Sequence, residues 1–223
     1  IITFQKIHMV YIGPKGYTIH KDHLPIEEQN FIRKKLQVTP FVPKSSPAKP
    51  TPFPVFRESI NKFYLPRHWG IETFGKAEEI KIKDGIQISL PFKGELRETQ
   101  KTAVDAFVRC AKKTGGGLLE LYCGFGKTVC ALNIISQLKA KTLIIVHKSF
   151  LADQWEERIQ QFLPTATIGR IQGDNINTDA DIVIGMLQSL SMRDYPISIF
   201  KTFGFTIIDE CHHIGAEVFS RAL

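Results

Sequence analysis

Cys123-Gly124-Phe125-Gly126-Lys127-Thr128 sets two glycines, a lysine and a hydroxyl within six positions, and Asp209-Glu210 sets two carboxylates side by side 82 residues beyond Lys127. Gly124 and Gly126 have no Cβ, so the backbone there can turn its amides toward an anion, and a helix beginning at that point adds the positive end of its dipole. Lys127 would then reach the β and γ phosphates of a bound nucleotide. The Thr128 hydroxyl would reach the Mg²⁺ that travels with them. Asp209 would hold that metal, mostly through water, while Glu210 would orient and polarise the water that attacks the γ-phosphate. Taken alone, neither stretch decides the matter. The strict phosphate-loop pattern asks for glycine where Leu121 stands, so a plain glycine turn beside an exposed lysine competes for the first, and a helix cap or surface pair competes for the second. Their conjunction, with strand and helix patterns between them, favours catalysis.

The elements that must position these residues follow from periodicity. Leu119 to Tyr122 reads as a strand feeding the loop, and Val129, Ala131, Leu132, Ile134, Ile135 and Leu138 give the helix after it a broad apolar face. Thr142-Leu143-Ile144-Ile145-Val146 is a continuous apolar run, as in a parallel strand covered on both faces. A helix is expected from Leu151 to Phe162, then strands near Ala166–Ile171, at Asp181–Gly185 and at Phe205–Ile208, the last ending in Asp209-Glu210. Ahead of the loop, Thr99 to Lys112 reads as a helix with Ala103, Phe107, Cys110 and Ala111 on one face, closed by Gly115-Gly116-Gly117. Alternating strands and helices imply a doubly wound parallel α/β sheet, with the loop and the acidic pair on its ligand-binding carboxyl edge.

The first part of the chain has another texture. Ile7, Met9 and Tyr11 alternate ahead of Gly13-Pro14-Lys15-Gly16 and Tyr17-Thr18-Ile19, a hairpin with a four-residue connection. Pro25 to Leu36 carries acids in its first turn and bases in its last, as a helix should. Residues 40–54 hold six prolines and form an extended connector or strap. Phe53, Phe56, Phe63, Tyr64, Trp69 and Phe74 follow, interleaved with Arg57, Lys62, Arg67 and His68. Such aromatics serve either a small core or a stacking platform, and the core reading suits most of them. Ile80 to Leu90 alternates about Asp84-Gly85 and predicts a second hairpin. The expected division is therefore a smaller α+β domain over 1–94, with its proline-rich segment 40–54, and an α/β domain over 95–223.

The balance of 43% hydrophobic and 23% charged residues is that of a soluble globular protein. No apolar run approaches the roughly 20 residues of a bilayer span, so no membrane partner is expected. The net charge of +7 is concentrated early: residues 1–95 carry 15 Lys and Arg against 9 Asp and Glu, whereas 96–223 carry 14 against 13. A polyanionic partner such as DNA or RNA would suit that excess, as would a solvated surface. Cys110, Cys123, Cys130 and Cys211 form no CxxC pair, which predicts reduced thiols in an intracellular compartment, cytoplasm or nucleus. Cys211-His212-His213 is a poor zinc site, because three adjacent residues do not converge on one tetrahedral ion.

With these residues in view, Asp209-Glu210-Cys211-His212 resembles a DExH box, and the arrangement is similar to lobe 1 of a superfamily 2 helicase. Leu96-Arg97-Glu98-Thr99-Gln100 resembles the LRxxQ motif, which implies that Gln100 reads adenine. Cys123 to Thr128 resembles motif I in the CysGly form of the XPB branch. Val146 to Leu151, with Gln154-Trp155 behind, resembles motif Ia, and Ile184 to Leu190 resembles the later motif that grips a tracking strand. The resemblance implies a RecA-like lobe binding ATP and Mg²⁺ through Gln100, Cys123, Gly124, Phe125, Gly126, Lys127 and Thr128. It further implies nucleic-acid contacts at His147, Lys148, Gln188 and Ser189, and coupling to a second lobe through His212. Residues 1–94 have only a loose likeness to regions ahead of lobe 1 in helicases of large DNA viruses, which would place the protein in a virion or host cytoplasm. The sequence stops before a SerAlaThr motif and a second lobe, so a fragment of a monomeric motor that works with transcription or replication proteins is expected. Two other readings remain: a kinase or GTPase using the same loop, although no guanine-reading AsnLysxAsp is present, and a nucleic-acid-binding module with a vestigial ATPase lobe.

Overall fold

Strand periodicity in the first 80 positions resolves into a five-stranded and a two-stranded sheet, and the apolar runs after residue 140 into a further sheet. The computed structural model describes residues 10–39 and 51–212, which divide into two units after Ile82. The expectations placed on Ile7, Met9, Pro40, Pro43, Pro47, Pro50 and His213 lie outside the described residues.

In the first unit β1 (Tyr11–Gly13) and β2 (Gly16–His20) form the expected hairpin, but Gly13 pairs with Gly16, so the turn is Pro14-Lys15 alone. Gly16 has φ +99, and a Cβ there would meet the Leu65 carbonyl at 2.3 Å, so only glycine closes so tight a turn beside a neighbouring strand. Helix α1 (Ile26–Lys35) keeps Glu27 and Glu28 in its first turn and Arg33, Lys34 and Lys35 in its last. Then come β3 (Gln37–Val38) paired with β4 (Phe53–Pro54), β5 (Arg57–Glu58), β6 (Lys62–Leu65), α2 (Arg67–Phe74) and β7 (Glu79–Ile80). The larger sheet runs β5-β6-β2-β1-β7. Its core holds Ile12, Tyr17, Ile19, Phe63 and Leu65 with Ile32, and Phe56, Trp69 and Phe74 pack on it, as expected for most of the aromatics.

The second hairpin does not form. Ile80 pairs with Ile12 in β1, whereas Ile86 N–H donates to the Thr202 carbonyl (2.8 Å) and Ile88 N–H to that of Lys139 (2.9 Å). Each arm finds a partner in its own unit, and Leu90 is buried in the core of the second. Asp84-Gly85 therefore marks the crossing between units, and the boundary falls at Ile82–Lys83 rather than near Lys93 or Gly94.

The second unit begins with α3 (Glu98–Thr114), ended by Gly115 at φ 80. Its buried face is Gln100, Val104 and Val108, spaced by four; Cys110, expected on that face, is exposed. Then follow α4 (Lys127–Leu138), β8 (Thr142–Val146), α5 (Ser149–Phe162), β9 (Ile168–Gln172), β10 (Asn175–Ile176), β11 (Ile182–Met186), α6 (Leu187–Met192) and β12 (Phe205–Ile208). The sheet order is β10-β9-β11-β8-β12, parallel except for β10. Every residue of β8 and β11 is buried, because Ile144, Val146, Ile182 and Ile184 pack under α4 and α5 while Leu143, Ile145 and Val183 pack against Leu187 and Leu190. This is the expected doubly wound α/β sheet after a smaller α+β unit.

The strand expected at Leu119–Tyr122 does not enter the sheet. Leu119 and Leu121 pack on the Val104, Phe125 and Ile134 cluster, while Leu118 and Tyr122 are 74% and 71% exposed. The segment thus satisfies its apolar alternation on α3 and α4 without a ladder. A cavity of about 500 Å³ is lined by both Gly117–Leu121 and Phe205–His212.

Candidate active site

The loop is shaped from two directions. Gly124 and Gly126 take φ of 82 and 93, and α4 starts immediately after, with Cys130 N–H donating to the Gly126 carbonyl (3.1 Å). Between them Phe125 is buried, its ring edge-on to Tyr122 at 5.2 Å. The start of α3 clasps its carbonyl: Gln100 Nε2 donates to Phe125 O at 2.8 Å, and Arg97 Nη2 donates to the same oxygen. Gln100 Oε1 accepts from the Arg97 backbone N–H at 3.0 Å, the reach-back of a third helical residue to its cap. A Cβ on Gly126 would lie 2.5 Å from Gln100 Nε2, so the glycine is also what admits the glutamine. Gln100 is 5% exposed and holds the loop, yet its amide keeps a second N–H and its oxygen a second lone pair. Cys123 is exposed at the loop's start, and Thr128 is half-buried in the first turn of α4.

The acidic pair sits where β12 ends. Asp209 N–H donates to the Ile145 carbonyl (3.0 Å), extending the pairing with β8 by one residue. Its Oδ2 accepts from Trp155 Nε1 at 2.9 Å. Glu210 then takes φ 52, a left-handed conformation that costs a non-glycine residue roughly 1–2 kcal/mol and that concentrates at functional sites. From there Glu210 Oε1 lies 3.8 Å from Lys127 Nζ, and its Oε2 lies 3.4 Å from His212 Nδ1. The Lys127 and Glu210 side chains are 42% and 40% exposed, so this ion pair is weak, on the order of 1 kcal/mol or less, and can be exchanged for a stronger anion. Lys127, Trp155, Asp209, Glu210 and His212 all line the same cavity.

The four residues expected to meet nucleic acid are gathered by strand pairing rather than by direct catalytic contact. Parallel pairing sets Val146 beside Met186, so His147-Lys148 and Gln188-Ser189 leave the sheet at neighbouring points. Gln188 Nε2 donates to the His147 carbonyl at 2.6 Å, and Ser189 Oγ accepts from Gly173 N–H at 3.0 Å. Lys148 is exposed, its ammonium 5.8 Å from the Phe150 ring centre. Sequence reasoning gave Arg97 and Trp155 no role of their own. Both stand inside motifs quoted for other residues, and Trp155 also fits the apolar stripe of α5, which hides a polar use of its indole.

A largely parallel sheet with a glycine loop and a DExH pair near its carboxyl edge is the arrangement of a superfamily 2 lobe. Residues 93–223 match the family model described as Type III restriction enzyme, res subunit, and the chain belongs to that family. Over 211 residues it is 35% identical to a protein of Acanthamoeba polyphaga mimivirus that carries the name of an ATP-dependent RNA helicase, covering 92% of this chain and 40% of the relative. Over 148 residues it is 34% identical to the DNA 3'-5' translocase XPB2 of Sulfurisphaera tokodaii, covering 64% of this chain and 32% of the relative. Among solved structures it is similar to the Sulfolobus solfataricus SWI2/SNF2 ATPase core in complex with dsDNA, with 21% identity, a TM-score of 0.49, and coverage of 63% and 31%. The chain spans less than half the length of each of these proteins.

Proposed function

We propose that the second unit is the ATP-binding lobe of a nucleic-acid-dependent ATPase, a helicase or translocase, and that the first unit is accessory to it. The observation that carries this is the meeting of Lys127 with Glu210, 83 positions apart, beside a loop whose glycines leave its amides free to turn toward phosphate. In the free protein Lys127 faces Glu210. A triphosphate on the loop presents a denser negative charge, so Lys127 transfers to the β and γ oxygens and Glu210 is released toward solvent. Glu210 then accepts a hydrogen bond from water, orients it in line with the γ-phosphorus and takes its proton. The Thr128 hydroxyl and the Asp209 carboxylate are hard oxygen donors of the type Mg²⁺ takes together with phosphate and water, and the ion bound there would offset charge on the transferring phosphoryl group. Gln100 holds Phe125 and offers its remaining donor and acceptor to the adenine edge.

His147, Lys148, Gln188 and Ser189 would contact the backbone of a DNA or RNA strand, with Lys148 neutralising phosphate and the linked loops setting its position. His212, hydrogen-bonding distance from Glu210, would report the state of the nucleotide to a second lobe. All four cysteines are free, which fits a reducing compartment, and among the described residues no helix is long and apolar enough to cross a membrane. The motor is proposed to act as a monomer.

The test is Glu210→Gln in the ATPase that contains this chain. Turnover stimulated by nucleic acid should fall by about 10² or more, the low end of general-base contributions, while ATP affinity stays within about threefold. Hydrolysis by this variant at the wild-type rate would remove Glu210 from the water-activating role.

A further inference from the structure

The first unit uses one face of its sheet for its core, and the opposite face has a composition a core does not need. Along β6 the burial alternates, with Phe63 and Leu65 inward and Lys62 and Tyr64 on the other side. Strand register extends this across the sheet. Glu79, Tyr11, Thr18, Tyr64 and Arg57 stand opposite one another over five strands, and Lys62 stands opposite His20. Neither Tyr11 nor Tyr64 joins the apolar cluster, and both are half-buried. They flank Thr18 two strands apart, which at about 4.8 Å per strand separates them by roughly 10 Å.

Each ring carries ammonium groups. Lys15 Nζ lies 5.0 Å from the Tyr64 ring centre, Lys81 Nζ 4.3 Å and Lys62 Nζ 5.5 Å from that of Tyr11, and Lys62 also donates to the Tyr11 hydroxyl at 3.3 Å. The one acid in this row, Glu79, pairs with Lys81 at 3.1 Å. Arg57 stands in the same row, and Lys15, Lys62 and Lys81 border it. Two half-buried aromatic rings flanking the buried Thr18, bordered by cations on flexible stems, match what a single-stranded nucleic acid requires: π faces for bases and ammonium groups for the phosphates between them.

We infer that this face, centred on Tyr11 and Tyr64, binds a single strand of DNA or RNA, with bases stacked on the two rings and Lys15, Lys62 and Lys81 on the backbone. In the free protein the lysines cover the rings through cation–π contacts, which are weak at exposed sites. On binding, a base takes the ring face and the displaced ammonium moves to the adjacent phosphate. The inference extends the motor reading with a second, nucleotide-independent strand contact outside the ATPase lobe.

The experiment uses the whole chain without nucleotide, so it stands apart from ATP hydrolysis. Anisotropy titrations with fluorescein-labelled dT20 and rU20 should show binding whose affinity falls steeply with salt. Tyr64→Ser or Tyr11→Ser should weaken it about fivefold or more, the low end for one base stacked on one aromatic, while Tyr64→Phe should retain it. Lys15→Gln and Lys62→Gln should each reduce the slope of log affinity against log salt by about 0.7, the value for one phosphate on a single strand. Because a serine in a strand could disturb the sheet, the unmodified chain is also crosslinked to 5-iodouracil-containing strands and the peptides mapped. Crosslinks at Tyr11 and Tyr64 are expected. Crosslinks only within residues 83–212, or no affinity for either oligonucleotide at low salt, would overturn the inference.

Discussion

The indole Nε1 of Trp155 donates a 2.9 Å hydrogen bond to Oδ2 of Asp209, joining α5 to the end of β12 across 54 positions of sequence. Trp155 is 4% exposed and packed among Ile144, Ala152 and Ile159, so its donor is fixed in direction and the carboxylate it holds is fixed in turn. One oxygen of Asp209 is thereby occupied and the other kept available. The tryptophan acts as a positioning residue for the proposed metal ligand.

Trp155→Phe keeps most of the ring volume and removes the donor. A hydrogen bond to a charged group contributes about 1.5–3 kcal/mol, so the Mg²⁺ concentration needed for half-maximal ATP binding should rise about tenfold or more. Nucleotide affinity measured in EDTA should be unchanged. In a Trp69→Phe background the fluorescence of Trp155 should respond to Mg·ADP but not to ADP alone. Equal loss with and without Mg²⁺ would reduce Trp155 to a packing role.

Gln100→Ala removes the clasp on Phe125 together with the cap bond from the Arg97 N–H, and also the amide proposed to read adenine. The first loosens the loop for any nucleotide; the second matters only for adenine. ATP affinity should therefore fall more than GTP affinity, by a further factor of about 5 to 10 for the lost base contacts. Competition titrations of both nucleotides against a fluorescent ADP analogue separate the two effects, and equal loss for ATP and GTP would leave only the clasp.

Local rules made some of this legible and tertiary partners made the rest illegible. Continuous apolar runs located β8 and β11 because a strand covered on both faces has no polar side to confuse the pattern. The acids and bases of α1 and Gly115 after α3 marked helix ends for reasons internal to the helices. The Asp84-Gly85 hairpin failed because its arms pair with Ile12 on one side and with Lys139 and Thr202 on the other, which no local signal announces. Leu119–Tyr122 carried strand-like alternation, yet those leucines bury against α3 and α4 without a ladder. At the site, residue types and spacing indicated which side chains to collect; that Lys127 rests on Glu210, and that Gln100 grips Phe125, depends on distances only the fold sets.

The central claim is that the loop around Lys127 is a nucleotide site completed by Asp209 and Glu210. The most direct measurement is equilibrium binding of Mg·ATP to residues 1–223 by isothermal titration calorimetry, wild type beside Lys127→Ala. The wild-type chain should bind one ATP, displaceable by ADP, and Lys127→Ala should lose at least about tenfold in affinity, since the loop amides alone remain to hold the phosphates. No ATP binding by the wild type, or the same affinity after Lys127→Ala, would contradict the account.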